Sequence, residues 1–188
     1  MNIFEENRYL MLRKIQKEIN PKVAVEIGVQ KGIYAKEMFK AFLNAQIILI
    51  DPWKEFTKEE YLDTGNILQG LQDLNLEETK ENTNEWKNRR QIIRKESLEI
   101  INEINDNSID FIYLDGNHAY KYVKQELRQF WKKIKKGGYL AGHDYLNMNT
   151  YELKIGVKKA VDEFVKDYKL KLQTTNEEKW KSWIIKKC

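Results

Sequence analysis

"VAVEIGVQKG", residues 23–32, is a run of β-favouring residues interrupted by one acid and closed by a glycine. Val and Ile are stiff at χ1 and suit a pleated, packed surface, so "VAVEIG" (23–28) reads as a strand. It lacks the alternation of a half-exposed strand and reads instead as buried on both faces, as parallel strands are. Gly28 and Gly32 bracket the turn that follows, where glycine admits positive φ and lets backbone approach a ligand closely. "YAKEMFKAFL" (34–43) then has apolar residues at helical spacing. Strand, glycine turn and helix make the opening unit of an α/β fold.

Outward from this unit the alternation repeats. "QIILID" (46–51), "QIIRKE" (91–96), "SIDFIYLD" (108–115) and "GGYLAGHD" (137–144) read as strands. "SLEIINEI" (97–104, with Ser97 as its N-cap), "AYKYVKQELRQFWKKIKK" (119–136) and "IGVKKAVDEFVKDY" (155–168) read as helices. Before the opening unit, Phe4, Leu10, Leu12, Ile15 and Ile19 predict a helix over 4–19, stopped by Asn20-Pro21. "KLKLQTT" (169–175) and "KWKSWIIKK" (179–187) alternate like a closing hairpin. The fold class is α/β, a mainly parallel sheet with helices on both faces. Residues 53–90 turn polar, with helical periodicity over 61–76; so long a connection predicts a lid or substrate-binding insert. No repeat or linker divides the chain, so residues 1–188 are expected to form one domain.

Composition narrows the function classes. With 41% hydrophobic residues in 188, a sizeable single core is expected. The net charge of +4 is mild and dispersed, and lacks the clustered basic face of a nucleic-acid binder. The run "KKIKK" (132–136) ends a predicted helix, where cations complement the helix dipole. The single cysteine, Cys188, excludes a disulfide framework and a cysteine-rich zinc site, which suits a reducing cytoplasm. The first twenty residues carry charges throughout, unlike a signal peptide, and no stretch approaches the roughly 18 apolar residues of a membrane span.

In α/β sheets, ligands bind beyond the carboxyl ends of the strands. Glu26, Asp51, Asp115, His118, His143 and Asp144 all fall there. The first turn reads E-x-G-x-x-x-G rather than the G-x-G-x-x-G of nicotinamide-binding domains, so that class is disfavoured. Asp51 stands where an acid accepts from a ribose diol, or else serves as the turn residue of Asp51-Pro52. The two histidines of the chain, His118 and His143, both flank this edge.

On "VAVEIGVQKG", "LIDPW" (49–53), "IDFIYLDGNH" (109–118) and the closing hairpin, the sequence resembles the class I S-adenosylmethionine-dependent methyltransferases over nearly its whole length. The resemblance implies a Rossmann-like, doubly wound sheet of seven strands with the last antiparallel. It implies S-adenosyl-L-methionine as cofactor. Glu26 would lie at the methionine moiety, Gly28 and Gly32 at the cofactor backbone, Asp51 on the ribose, Ser97 of "KES" (95–97) at the adenine, and Asp115 alongside. "DGNHAYKYVKQEL" (115–127) with "KKGGYLAGHDY" (135–145) is similar to a D-G-x-H subgroup of small-molecule O-methyltransferases. That likeness implies a divalent-metal site at Asp115, His143 and Asp144. His143 departs from the usual acid, and imidazole favours a transition metal where magnesium prefers oxygen donors. Catalysis would rest on Asp115 and on His118 as a neutral base for the acceptor hydroxyl of a sugar or phenol; a purely structural His118, hydrogen-bonded at a helix N-terminus, is the alternative. Nucleic-acid methylation is disfavoured, because "DGNH" stands where a proline-aromatic grip would be. Trp53, Tyr61 and Trp86 are candidates to line the pocket, whereas Trp131, Trp180 and Trp183 read as core or half-buried.

Overall fold

The computed structural model describes residues 7–188. Phe4 and the expected first turn of the first helix therefore lie outside the described residues.

Helix α1 (Arg8–Ile19) leads into β1 (Val23–Ile27), α2 (Ile33–Ala41) and β2 (Gln46–Ile50). A long insert containing α3 (Gln69–Asn82) precedes β3 (Arg90–Ile93). Then follow β4 (Ile109–Leu114), α4 (Tyr120–Lys133), β5 (Ile134–Gly142) and a small hairpin, β6 (Asn147–Asn149) with β7 (Lys154–Gly156). Helix α5 (Val157–Tyr168), β8 (Leu172–Thr174) and β9 (Trp183–Lys186) complete the chain. The main sheet has the order β3-β2-β1-β4-β5-β9-β8, and only β9 runs against its neighbours. This is the expected Rossmann-like sheet of seven strands. No described helix is long and apolar enough to cross a membrane.

Strand periodicity sorts the core into two layers. Ala24, Leu49, Phe111 and Tyr113 point to the side covered by α1 and α2, with Leu76 of α3 joining them. Val25, Ile50, Ile112 and Leu114 point to the side covered by α4 and α5. Both faces are buried, which is why the strands read as nearly continuous apolar runs. The strand order reverses between β1 and β4, so the crevice above their carboxyl ends is the topological switch point.

Three expectations shift. The helix at 97–104 is a turn followed by a short 3-10 helix, Ile101–Glu103, because Ile100 and Ile101 turn inward against the second core layer. The insert helix begins at Gln69 rather than near residue 61, since the Asp63 side chain accepts from Gly65 N (3.0 Å) and holds a turn. The run at 132–136 is split: Lys132 and Lys133 end α4, while Lys135 and Lys136 open β5. Lys133 and Lys135 are each paired, with Asp106 (2.7 Å) and Asp110 (2.8 Å).

Candidate active site at the switch point

A cavity of about 500 Å³ opens over the carboxyl ends of β1, β2, β4 and β5. Its floor is the turn after β1. Gly28 has φ +82°, and a Cβ there would lie 2.0 Å from the Asp115 carbonyl oxygen. Only glycine lets β1 and β4 converge so closely at the cavity. Asp51 holds the same turn: its Oδ2 accepts from Val29 N (2.8 Å) and Gln30 N (2.9 Å), and its Oδ1 from Trp53 N (2.7 Å). Burial raises the Asp51 carboxyl, against those three amide bonds. Asp51 is thus the turn residue of the sequence reading, and it lines the cavity while clamping its floor. Gly32 is not at the cavity wall; it caps α2 at φ +71° and packs on Thr79 of α3.

Glu26 lies at the wall, 1% exposed, and its Oε2 has no hydrogen-bond partner among the described residues. Burial, then the charges of Asp115 and Asp51, pushes its carboxyl well above the ordinary range. Ser97 is at the wall as expected, but its hydroxyl donates to Glu126 Oε1 (2.5 Å) rather than capping a helix. Burial pushes Glu126 up to about 7, with the Ser97 bond and the charge of His118 opposing.

The ends of β4 and β5 bring the acids and histidines together. His118 Nε2 lies 3.1 Å from Asp144 Oδ2 and 3.4 Å from Asp115 Oδ1. Its Nδ1 lies 2.9 Å from Asp63 Oδ2, a residue of the insert. Burial would lower the His118 pKa; bonds to Asp115 and Asp63 and the nearby Asp144 charge outweigh it and push it up to about 10. The three carboxylates around His118 favour its protonated form, whereas the base role read from the sequence needs the neutral imidazole. Asp144 takes φ +53°, a left-handed backbone, and so turns its carboxylate back to the group.

Asp115, His118 and Asp144 each offer a ligand atom within 4.8 Å of the others. Two carboxylates and an imidazole at that spacing fit a divalent cation. The nitrogen in this group is that of His118, where the expected set has His143. His143 stays adjacent, with Nδ1 2.8 Å from Asp144 Oδ1 and 3.9 Å from Asp115 Oδ1.

The insert forms one wall. Tyr61 donates to Gly116 O (3.2 Å), and Lys154 N donates to Leu62 O (3.2 Å), tying the insert to the loop after β4 and to the small hairpin. Tyr61 lines the cavity as anticipated. Trp53 does not: it is fully buried, and its indole donates to Gln30 O (2.8 Å) beneath the floor. Trp86 stacks on Phe39 on the core side. Trp180, read from sequence as core or half-buried, is 40% exposed and reaches the cavity from a strained φ of +56°. Asp63, Arg8, Tyr34 and Glu126 also line it and escaped the sequence reading. Glu126 alone carried a signal, an acid on the Val123–Leu127–Phe130 apolar stripe of α4.

The chain is 27% identical over 143 residues to an uncharacterized protein of Acanthamoeba polyphaga mimivirus, covering 76% of this chain and 59% of that one. It therefore spans less than two thirds of that relative. Among solved structures, a Corynebacterium glutamicum protein superposes with a TM-score of 0.66 at 11% identity, covering 98% of this chain and 83% of that one. An O-methyltransferase family protein from Burkholderia thailandensis gives 0.65 at 11%, covering 94% and 55%. These likenesses are of fold. Residues 25–145 match the family described as a methyltransferase domain, a span holding Glu26, Gly28, Asp51, Asp115, His118 and Asp144. More than half of the chain lies in that match, and the chain belongs to this family of methyltransferase domains.

Proposed function

We propose that the chain binds S-adenosyl-L-methionine in the switch-point cavity and transfers its methyl to a hydroxyl of a small acceptor such as a sugar or phenol. The observation that carries this reading is the buried, unpartnered Glu26 Oε2 at the cavity wall, beside the Gly28 turn. A buried acceptor atom without a partner is rare in native proteins and points to a ligand donor. S-adenosylmethionine supplies an electrophilic methyl on a sulfonium. Glu26 receives its ammonium, Gly28 leaves room for it against backbone, Asp51 holds the floor and faces the ribose, and Ser97 borders the adenine.

The acceptor side is the Asp115–His118–Asp144 group. His118 fixes the two carboxylates, and the hydroxyl proton passes to Asp115 while His118 keeps its own. With the His118 imidazole neutral, Asp115, His118 and Asp144 would instead hold a divalent cation, with His143 beside them; such an ion would lower the pKa of a hydroxyl it binds. Trp180, Leu153 and Phe56 give the mouth an apolar wall for the body of the acceptor.

Titration calorimetry tests the reading directly. S-adenosylhomocysteine, the demethylated product, is expected to bind and NAD is not. NAD binding with no response to S-adenosylhomocysteine overturns it. For the chemistry, Asp115→Asn is expected to lower methyl transfer by roughly 10²–10⁴-fold, the range of a lost proton acceptor. Labelled methyl transfer to a panel of sugars and phenols measures it.

A further inference from the structure

Trp180, in the loop between β8 and β9, holds a backbone conformation that a bulky side chain avoids. Its φ is +56°, and the residue is 40% exposed. Among the described residues its indole N–H makes no hydrogen bond and its ring stacks on no other. Strain of this kind persists where function needs the side chain in place. The ring lines the mouth of the cavity with Leu153 and Ile155 of the small hairpin and Phe56 of the insert. Trp180, Leu153 and Ile155 all follow residue 145, where the family match ends.

The charged group on the acceptor side is net negative. His118 is surrounded by Asp63 (2.9 Å), Asp144 (3.1 Å) and Asp115 (3.4 Å). Three carboxylates outweigh one imidazolium, and they outweigh one divalent cation too, so the group stays negative in either state. The lysines and arginine at the cavity wall are already engaged: Lys31 with Glu78 (3.2 Å), Lys54 with Glu96 (3.5 Å), and Arg8 with the Tyr113 hydroxyl. Lys154, Lys179 and Lys181 adjoin the wall in sequence but do not line the cavity. An anion brought here from water would meet carboxylates and apolar side chains, with no free cation among the described lining residues.

We propose that Trp180 is the platform on which the acceptor's ring lies, and that the site takes neutral or cationic ring-bearing hydroxyl compounds and rejects those bearing a phosphate or carboxylate. A flat indole face stacks on a phenol ring or on the apolar face of a sugar. It favours a cation over an anion, because the face of its π-system is negative. The carboxylates act in the same direction, since like charges brought together repel. This rests on the methyl-transfer reading above and narrows its acceptor class.

Calorimetry on the full chain saturated with S-adenosylhomocysteine tests it with two ring series that differ within each mainly in charge. One is catechol, dopamine and protocatechuate; the other is glucose, glucosamine and glucuronate. In at least one series the neutral and cationic members are expected to bind, and the anion at least about 10-fold more weakly. Asparagine tolerates the left-handed backbone, so Trp180→Asn is expected to melt no lower than wild type and to keep its S-adenosylhomocysteine affinity. It is expected to weaken the neutral acceptor by about 10-fold, while Trp180→Phe keeps most of that affinity. Asp63→Asn removes one charge, keeps an acceptor for His118, and is expected to narrow the gap between neutral and anionic members by about 3-fold. An anion that binds as tightly as its neutral counterpart, an undiminished gap in Asp63→Asn, or no binding by any member of either series overturns the proposal and leaves the cofactor reading standing. So does a Trp180→Asn chain that melts lower and keeps its acceptor affinity, which would make Trp180 a packing residue. A wild-type chain that binds no S-adenosylhomocysteine overturns both.

Discussion

Gly28 and Glu126, which both line the cavity, show what single residues contribute to it. The Gly28→Ala substitution would place a methyl 2.0 Å from a backbone oxygen at φ +82°, where no side-chain rotation relieves the overlap. A loss of at least about 3 kcal/mol is expected by denaturant melting, with cofactor binding lost alongside. Gly70 is the control: it sits in the first turn of α3 with open space around it, and Gly70→Ala is expected to stabilise by about 0.4–1 kcal/mol. Glu126 carries a pH signature. Its carboxyl is raised from 4.5 to about 7, so between those values the unfolded chain ionises while the native chain holds its proton. Stability therefore falls as pH rises through that window and stays reduced above it. Glu126→Gln removes this dependence and keeps the acceptor for Ser97. Its melting temperature is expected to exceed wild type at pH 8 by the equivalent of up to on the order of 3 kcal/mol, and to match it near pH 4. The opposite trend would mean that Glu126 is ionised and partnered in the native state. Gly28 was legible in the sequence because backbone conformation limits which residue can stand there. Arg8 and Tyr34 were not, since their place at the wall depends on a cavity assembled from distant segments.

At the scale of elements, the strands were legible and the insert was not. Strands β1, β2 and β4 announce themselves through near-continuous apolar runs, because two helix layers bury both faces. The segment 53–68 is held by side-chain bonds instead. Asn66 donates to Phe56 O and Tyr61 O (each 2.9 Å), Tyr61 reaches Gly116, and Asp63 reaches His118. Such polar clasps leave no periodicity to read. The same holds for the helix expected at 97–104, whose isoleucines suit a core wall as well as a helix face. The clasp predicts a local effect. Burial works to raise the Asp63 carboxyl, and its bond with His118 overrides this and keeps it below the ordinary range. Asp63→Ala is expected to loosen the insert by on the order of 1–3 kcal/mol. Hydrogen exchange should rise at the amides of residues 57–66, while β1 and β4 keep their protection. An unchanged exchange pattern would show that Tyr61 and the small hairpin hold the insert without Asp63.

The whole molecule joins the sheet's closing strand to the active site through Trp183. Strand β9 enters antiparallel between β5 and β8, with Trp183 paired opposite Gly142. The indole is fully buried and its ring lies where a Cβ at Gly142 would stand, 2.5 Å from Cζ2. Gly142 is therefore small because Trp183 is large. The sequence shows both residues but not their pairing, which arises across a connection of forty residues, 143–182. The indole N–H donates to His143 O (3.2 Å), so the same side chain that fills the core steadies the backbone between β5 and Asp144. Two substitutions separate these roles. Trp183→Ala removes the ring and is expected to cost about 3–5 kcal/mol in denaturant melts, as large-to-small changes in a close-packed core do. Trp183→Phe keeps much of the volume and loses the N–H bond, so its stability cost should be smaller. The freed carbonyl lies one residue before Asp144, whose left-handed backbone aims the carboxylate at His118. If that bond positions the cluster, Trp183→Phe should slow methyl transfer more than its stability loss explains, with S-adenosylhomocysteine affinity unchanged. Activity that follows folded fraction alone would leave Trp183 a core residue and place the aim of Asp144 in its own backbone turn.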